Sequence, residues 1–311
     1  MDSLVKIDGK PLEKLIEVVS NGIGTLYRPR AMRKEADAKA YEIKVVEKAK
    51  AEALAEGKLI EAENLDRLNE RLLAKEVKRQ NNIDDVVEIA ASHLQSEPTV
   101  TEETVNEDWT TRFFDIVQDV SDDEMKKLWG QILAGEVKTP QSYSLRTLEL
   151  LRNLSKNEAD IFVKIARLAL CDNNWYFIYK GKEADISKYD ASYSDIAKLI
   201  EIGILQSGDL VQHTISAEND DFNTALFCCN IIILLTIKAG TEIQIPIYLF
   251  TQAGMELLKL VAAEPNMEYI KELADHVMNT NVKVQYSYIL SKVYIILIHF
   301  AIFTKRSLSL S

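Results

Sequence analysis

The chain has 311 residues, of which 47% are hydrophobic and 27% are charged. This length allows two domains, and the composition is that of a globular protein, which excludes an intrinsically disordered chain. Its net charge of -11 argues against indiscriminate nucleic-acid binding, because an acidic protein repels phosphate backbones.

The charge is unevenly distributed along the chain. Residues 28–79 contain 14 Lys and Arg against 11 Asp and Glu, whereas residues 80–311 contain 20 against 33. The N-terminus lacks a basic stretch followed by an apolar core, so no secretory signal is expected. The three cysteines, Cys171, Cys228 and Cys229, are too few for a disulfide framework. Together these features predict a cytoplasmic protein.

The first predicted element is an amphipathic helix within residues 1–28. Leu12, Leu15, Ile16 and Val19 share one helical face. Pro29 then predicts a boundary, because a residue that precedes proline is biased away from the helical conformation.

Residues 29–95 are predicted to form a long charged helical arm. Gly57 is the only glycine between Pro29 and Pro98, and no other proline interrupts this stretch. Small and apolar residues recur about every 3.6 residues, which favours a straight helix over a left-handed supercoil. We interpret them as a self-association seam, consisting of Ala36, Ala40, Ile43, Ala51, Leu54, Ala62, Leu65 and Leu72. The alternative is a solvated single helix, stabilised by glutamate–lysine pairs three or four residues apart.

A basic cluster lies where the arm begins, at Arg28, Arg30, Arg33 and Lys34. Such a cluster can contact nucleic-acid phosphates or an anionic membrane surface. The alternative is a solvated face balanced by the neighbouring acids.

Residues 96–170 are predicted to form an α-helical middle domain. Ser121-Asp122-Asp123-Glu124 could suggest a metal site, but it matches a capping box with Ser121 as N-cap and Glu124 three residues later. Ser155-Lys156-Asn157-Glu158 repeats this pattern. Both sequences precede apolar residues at helical spacing.

Several short motifs follow one another in this region: Asp108-Trp109, Phe113-Phe114, Ser121 to Met125, Leu128-Trp129, Ile132 to Glu136, Pro140, and Ser144 to Leu148. Their succession resembles a bacterial family catalogued as domain of unknown function 2806. Lys10-Pro11-Leu12, Gly22-Ile23-Gly24 and the arm resemble its N-terminal part, so that the resemblance covers about residues 8–275. It implies an architecture rather than an activity. In general plan such proteins are similar to abortive-infection components, which implies a role in phage defence.

Residues 171–265 are predicted to form a winged-helix-like module. Strands are expected at Trp175–Tyr179, around Val211, at Ile231–Ile237 and at Ile243–Phe250. A helix over residues 192–203 begins with Ser192 as N-cap and Asp195 three residues later, and another helix begins at Thr251. The expected fold class is therefore mostly α with a small β component.

A winged helix suggests nucleic-acid binding, but its candidate recognition helix is acidic. Asp195, Lys198 and Glu201 would point outward, whereas groove-reading helices usually carry Arg, Lys, Asn or Gln. Protein docking is therefore the favoured interpretation of this module, and nucleic-acid binding is the alternative.

Residues 266–311 are predicted to form a C-terminal helix, a strand that begins at Val282, and an apolar tail. The run from Val293 to Phe303 is too short to cross a bilayer as a helix. It is either a buried strand or helix, or a segment that touches a membrane or a partner.

No catalytic motif, metal site or cofactor site is predicted. Gly22-Ile23-Gly24 lacks the lysine of a phosphate-binding loop, and the four histidines lack zinc-ligand spacing. Cys228 and Cys229 would point to opposite faces of a strand, so they would not act on one substrate. A nuclease site built from scattered carboxylates is an alternative that the sequence does not exclude. The leading hypothesis is a non-enzymatic interaction protein, either a homo-oligomer or bound to a protein partner, in phage defence. A nucleic-acid-binding regulator and a membrane-active effector are the alternatives.

Overall fold

The computed structural model describes residues 9–29, 59–95, 100–182, 185–208 and 211–289. The chain divides into two units, residues 1–148 and residues 149–311. Helix α5 (Leu145–Asn153) spans the division. The other described helices of the first unit are α1 (Lys10–Ile23), α2 (Leu59–Leu94), α3 (Glu107–Val117) and α4 (Asp123–Lys138).

Local sequence signals set the ends of these helices. Pro11 occupies the first turn of α1, and Gly24 ends that helix with a φ of 70°, the left-handed conformation that glycine adopts without strain. Asn106 and Asp122 cap α3 and α4, each accepting a hydrogen bond from the backbone amide three residues later. The prediction of Ser121 as N-cap of α4 is therefore wrong by one residue, because the Asp122 carboxylate makes the capping bond.

An aromatic cluster joins α3 to α4. Phe113 and Trp129 are completely buried. The Phe113 ring stacks on Trp109 at 4.9 Å and meets Trp129 edge-on at 5.5 Å. Trp109 Nε1 donates a hydrogen bond to the Tyr143 carbonyl at 2.7 Å. Buried aromatic pairs of this kind contribute about 0.5–1.5 kcal/mol beyond their area, so the cluster forms the centre of the first unit.

The C-terminal part of α2 packs closely against α4. Gly130 allows this approach, since a Cβ atom there would lie 2.4 Å from Ile89 Cγ2. Lys126 Nζ of α4 also contacts Asp85 Oδ2 of α2 at 2.7 Å. The packing and the ion pair together fix α2 in the bundle.

The second unit contains, among its described residues, a seven-stranded antiparallel sheet in the order β3-β6-β2-β1-β4-β5-β7. The strands are β1 (Ala169–Asp172), β2 (Trp175–Tyr179), β3 (Gln212–Ala217), β4 (Phe222–Cys228), β5 (Ile231–Ile237), β6 (Thr241–Leu249) and β7 (Val282–Tyr288). The helices are α6 (Lys156–Ala166), α7 (Tyr193–Glu201), α8 (Gln252–Leu258) and α9 (Met267–Val277), and a 3-10 turn covers Ser187–Tyr189.

Capping boxes are present at both helices for which the sequence indicates them within this unit. Ser155 pairs with Glu158 at the start of α6, and Ser192 pairs with Asp195 at the start of α7. Thr251 caps α8. These predictions are confirmed because capping depends on residues only three positions apart.

The predicted fold class, mostly α with a small β component and a winged-helix-like module over residues 171–265, is wrong. The predicted strands at Trp175–Tyr179 and Ile231–Ile237 exist, but β1 and β4 were not expected. β3 pairs with β6, and the β4–β5 hairpin lies between β1 and β7. The pairs β3–β6 and β1–β4 join segments that lie far apart in sequence. The order of helix and strands that locally resembles a winged helix is therefore part of one large sheet.

A hydrogen-bonded carboxylate connects α9 to the chain that follows β2. Glu272 accepts hydrogen bonds from the Lys188 ammonium, the Tyr189 hydroxyl and the Lys182 backbone amide. Burial alone would raise the pKa of Glu272, but these donors outweigh it and lower the pKa. One turn earlier on α9, the buried Tyr269 hydroxyl accepts a hydrogen bond from the Tyr179 amide at 2.6 Å. These contacts hold α9 in place.

The close approach at Gly130 predicts that Gly130→Ala destabilises the first unit. In an open helix this change stabilises by roughly 0.5–1 kcal/mol, but here the added methyl meets Ile89, and overpacking costs about 1–3 kcal/mol. Urea denaturation followed by far-UV circular dichroism measures the change. The control combines Gly130→Ala with Ile89→Ala, which removes the nearest clashing atom, Ile89 Cγ2, but keeps Cβ at 2.7 Å, so part of the lost stability should return. Additive losses in the double variant would contradict the proposed contact.

Glu272→Gln is expected to lower the free energy of unfolding by about 1.5–3 kcal/mol at neutral pH, because charge-assisted hydrogen bonds are lost. The folded pKa lies below the unfolded value of about 4.5. The stabilisation is therefore complete above that pH and disappears as the pH falls through the folded pKa. Denaturation of both proteins between pH 7 and 3 should show the gap closing in acid.

The matched control for this experiment is Asp275→Asn, an exposed carboxylate on the same helix. Its effect should stay within about 0.5 kcal/mol at every pH, as is usual for surface substitutions. A gap between wild type and Glu272→Gln that does not change with pH would show that the carboxylate charge is unimportant.

Candidate interaction surface on the long helix

Helix α2 has 36 residues, which corresponds to about 54 Å at 1.5 Å per residue. Seven of its described apolar residues recur mainly at steps of three, four and eleven positions and lie along one side of the helix. Leu73, Val77 and Ile89 lie off this side, and the charged Glu76 and Arg79 share it between Leu72 and Ile83. We call the row of seven apolar residues the apolar stripe. It consists of Leu68, Leu72, Ile83, Val86, Val87, Ala90 and Leu94.

The two ends of the apolar stripe have opposite environments. From Ile83 to Leu94 every member is buried, at most 7% exposed. Leu68 and Leu72, by contrast, are 52% and 51% exposed. Single exposed leucines are ordinary on protein surfaces, but these two continue the row that forms the core of the bundle. The described first unit therefore covers only one end of the stripe.

Polar contacts mark the level at which α2 leaves the bundle. Arg79 makes a two-pronged contact with Asp119, with Nε–Oδ1 and Nη2–Oδ2 distances of 2.9 and 3.2 Å. Hydrogen bonding to Arg79 lowers the pKa of Asp119, as expected for a charge-assisted pair. Asn82 Nδ2 donates to the Gln118 carbonyl at 2.8 Å. The exposed leucines lie N-terminal to this level.

The predicted arm and seam are only partly within the described residues. The long helix is confirmed, without a break, for residues 59–94. Leu72 is exposed on it, and Ala62 and Leu65 lie in the same helix. The remaining predicted seam residues lie outside the described residues: Ala36, Ala40, Ile43, Ala51 and Leu54.

Sequence reasoning missed Leu68 and the continuation of the stripe into the bundle. Leu68 lies one turn before Leu72, at the edge of the row that the predicted seam follows. Spacing was the signal that could have identified this continuation, since Leu72 lies eleven residues, or three helical turns, before the buried Ile83.

Only one residue of the predicted basic cluster lies among the described residues. Arg28 is exposed after α1, whereas Arg30, Arg33 and Lys34 lie outside the described ranges. The adjacent Tyr27 is buried and its hydroxyl donates to Asp84 Oδ1 at 3.1 Å. This tyrosine therefore ties the segment to α2 and is not available to stack on a base.

The outward residues of the predicted recognition helix, now α7, are paired within the second unit. Asp195 Oδ2 lies 2.9 Å from Lys164 Nζ. Lys198 Nζ lies 3.1 Å from Glu201 and 3.6 Å from Glu158. These side chains stabilise the contact between α6 and α7, so they do not form a surface for reading bases.

A groove of about 300 Å³ lies between α1 and residues 100–105. Lys14 Nζ donates to the Thr101 carbonyl at 2.8 Å, and Lys10 pairs with Glu102 at 3.5 Å. Burial lowers the pKa of Lys14, although Glu17 and Glu103 act in the opposite direction. The groove is lined by two lysines and four glutamates, so its net charge is negative and disfavours an anion.

A histidine and an aspartate meet in the second unit. His213 Nε2 lies 2.9 Å from Asp172 Oδ2, and the His213 ring lies 4.7 Å from that of Phe177. Since β3 and β1 are not neighbours in the sheet, this contact shows that the sheet curls. Cys171 precedes Asp172 and faces the other side of β1. The Cys171 thiol therefore points away from the pair, and burial raises its pKa.

The adjacent cysteines do not occupy one strand, contrary to expectation. β4 ends at the buried Cys228, while the exposed Cys229 begins the turn to β5 with a φ of 51°. Cys228 Sγ lies 3.6 Å from the Arg167 carbonyl. Hydrogen bonding between the two thiols lowers the pKa of Cys229, and Arg167 adds to this effect.

Two further observations concern metals and membranes. Among the described residues, no group of three or more His, Cys, Asp or Glu is arranged to hold a metal ion. In the same part of the chain, none of the helices combines the length and the apolar character needed to cross a bilayer. The predicted apolar tail, Val293 to Phe303, lies outside the described residues.

Comparison with known proteins identifies the family. No curated protein and no solved structure matches the chain. The family model described as protein of unknown function (DUF2806) matches residues 66–274. The matched residues begin just before Leu68, include β1 to β6 and end within α9, whereas the resembling motifs near Lys10 and Gly22 precede them. Since the match covers well over half of the sequence, the chain belongs to the DUF2806 family, as its central motifs predict.

Proposed function

We propose that this protein is a non-enzymatic interaction protein that self-associates through the exposed end of the apolar stripe on α2. One observation carries this proposal. The row of residues that is buried from Ile83 to Leu94 continues beyond the bundle as Leu68 and Leu72, each about half exposed. The proposed partner is a second copy of this chain, since in a two-fold contact the same surface of each copy covers that of the other.

Covering these leucines offers a favourable free energy. Fully burying a leucine contributes roughly 1.5–3 kcal/mol relative to leaving it exposed, and a two-fold contact covers each residue twice. Leu68 and Leu72 are already about half covered, so a second copy gains roughly half of this value for each leucine.

A solvated single helix is the competing interpretation. Such helices are stabilised by opposite charges three or four residues apart. Glu63–Arg67, Arg67–Glu70 and Glu76–Arg79 have this spacing, and the Glu76 and Arg79 side chains lie 3.2 Å apart. Arg71 and Lys75, by contrast, are four residues apart with like charge, which weakens a helix. The charge spacing therefore does not decide between the two interpretations, and the preference for a partner rests on the exposed leucines.

The other hypotheses receive less support. Nucleic-acid binding through a winged helix loses its basis because the predicted module is part of a large sheet. Membrane activity was inferred from the apolar N-terminal helix and from the run Val293 to Phe303; Leu15 and Val19 of that helix are buried, and the run lies outside the described residues. The role in phage defence, implied by the family resemblance alone, stays a prediction.

Light scattering of the full chain tests self-association directly. The wild type should have at least twice the mass of the 35.2 kDa chain. Leu68→Glu combined with Leu72→Glu should give a monomer with an unchanged circular dichroism spectrum, because these side chains contribute little to the core. The thermal midpoint of the wild type should rise with protein concentration, as mass action requires.

Val77→Glu is the matched control, since Val77 is 48% exposed on the same helix but lies about 140° around it from Leu72 and about 180° from Leu68. This variant should keep the mass of the wild type. A wild type that is monomeric at every concentration would reject self-association. Equal loss of mass in the control and the double variant would show that the stripe is not the contact surface.

A further inference from the structure

We propose that Cys229 is a modification site, at which a low-molecular-weight disulfide forms a mixed disulfide with the protein while the adjacent Cys228 stays a thiol. This inference is independent of self-association, since it concerns the turn between β4 and β5. Three features of the described residues support it: the backbone conformation of the turn, the difference in exposure between the two thiols, and the groups around them.

Cys229 occupies a backbone position that usually belongs to glycine. Cys228 pairs with Ile231 at the end of the hairpin, so the turn consists of Cys229 and Asn230 alone. Cys229 has a φ of 51°, and Asn230 is not among the described residues with a positive φ. A positive φ at only the first of two turn residues is typical of a type II′ turn, which favours glycine there. A cysteine in this position is strained, and strain of this kind concentrates at functional sites.

The two thiols differ completely in exposure. Successive residues of a strand point to opposite faces, but Cys229 lies outside the strand, in the turn. There it is exposed, whereas Cys228, the last residue of β4, is completely buried. A small molecule in solution can therefore reach Cys229 without reaching Cys228.

Two neighbouring groups stabilise the thiolate form of Cys229. Hydrogen bonding to the Cys228 thiol lowers the pKa of Cys229, and the positive charge of Arg167 lowers it further, whereas burial and Glu264 oppose them. The pKa of Cys228 is raised well above its ordinary value by the same hydrogen bond and by burial. The thiolate is the nucleophile in disulfide exchange. The pair therefore combines an accessible nucleophile with a buried hydrogen-bond donor.

The Cys228 S–H group has two acceptors within reach. Its Sγ lies 3.6 Å from the Arg167 carbonyl, and the same proton can point to Cys229. A hydrogen bond to an ionised acceptor is stronger than one to a neutral carbonyl. The proton therefore turns towards Cys229 when that thiol ionises, so Cys228 stabilises the charge that makes Cys229 reactive.

The exchange reaction needs only the small disulfide as oxidant. The Cys229 thiolate attacks one of its sulfurs and the S–S bond breaks. One half stays bound to Cys229, which is oxidised, and the other half leaves as the reduced thiolate. Cys228 is poorly placed to displace the bound half, because adjacent Cα atoms lie about 3.8 Å apart, whereas those joined by a disulfide are usually about 4.4–6.8 Å apart. The mixed disulfide therefore persists.

Oxidised glutathione tests the site in the full chain. Mass spectrometry of the native wild type should show a single glutathionyl group on Cys229, which dithiothreitol removes. Cys229→Gly should lose this addition and resist urea at least as well as the wild type, because glycine fits the turn. Cys171→Ser is the matched control and should react as the wild type does, since Cys171 is half-buried and burial raises its pKa.

The pH dependence of the modification rate tests the role of Cys228. The wild-type rate should reach half its maximum below the pH of about 8.5 that is usual for a free cysteine. Cys228→Ala should raise this midpoint, because the hydrogen-bond donor is lost. Cys228→Ser should keep it low, since the serine hydroxyl also donates.

Four outcomes would overturn the proposal. These are a wild type that does not react, an addition that persists in Cys229→Gly, and a wild type that instead loses two hydrogens by closing a Cys228–Cys229 disulfide. The fourth is an unchanged midpoint in Cys228→Ala, which would remove the role assigned to the buried thiol.

Discussion

The packing of α2 against α4 is the constraint on which the candidate surface depends. Gly130 lets the two helices approach so closely that the rotation of α2 about its own axis is fixed by contact with Ile89. Because α2 continues as one helix beyond the bundle, the same rotation determines the direction in which Leu68 and Leu72 face. A change at Gly130 can therefore alter a surface several turns away.

The sequence was most informative where structure depends on neighbouring residues. The long helix, the capping boxes at Ser155 and Ser192, and the strand at Ile231–Ile237 all follow from residues a few positions apart. The sheet does not. Alternating apolar residues indicate a strand but not its partner, and the pairing of β1 with β4 joins residues more than fifty positions apart. The winged-helix interpretation failed for this reason.

The candidate surface also depends on contacts between segments that are distant in sequence. Periodicity predicted an apolar row on the arm, including Leu72, but it could not distinguish a row that is buried in its own bundle from one that is exposed. A buried row and an exposed row can have the same amino-acid composition. What separates Leu72 from Ile83 is the path of α3 and α4, which return to cover only the C-terminal end of α2. The basic cluster illustrates the converse, since the aromatic residue beside it, Tyr27, is buried and its hydroxyl donates to Asp84.

The segment of α2 that carries Leu68 and Leu72 differs in charge from the chain that follows it. Residues 59–79 contain five acids and five bases, whereas residues 80–311 contain 33 acids and 20 bases. This segment of α2 is therefore neutral, while residues 80–311 carry a net charge of -13. Two copies that meet at Leu68 and Leu72 bring like net charges towards each other, and this repulsion is screened beyond roughly 8 Å at physiological ionic strength. Burial of the leucines therefore supplies the attraction in the proposed assembly, whereas the overall charge opposes it.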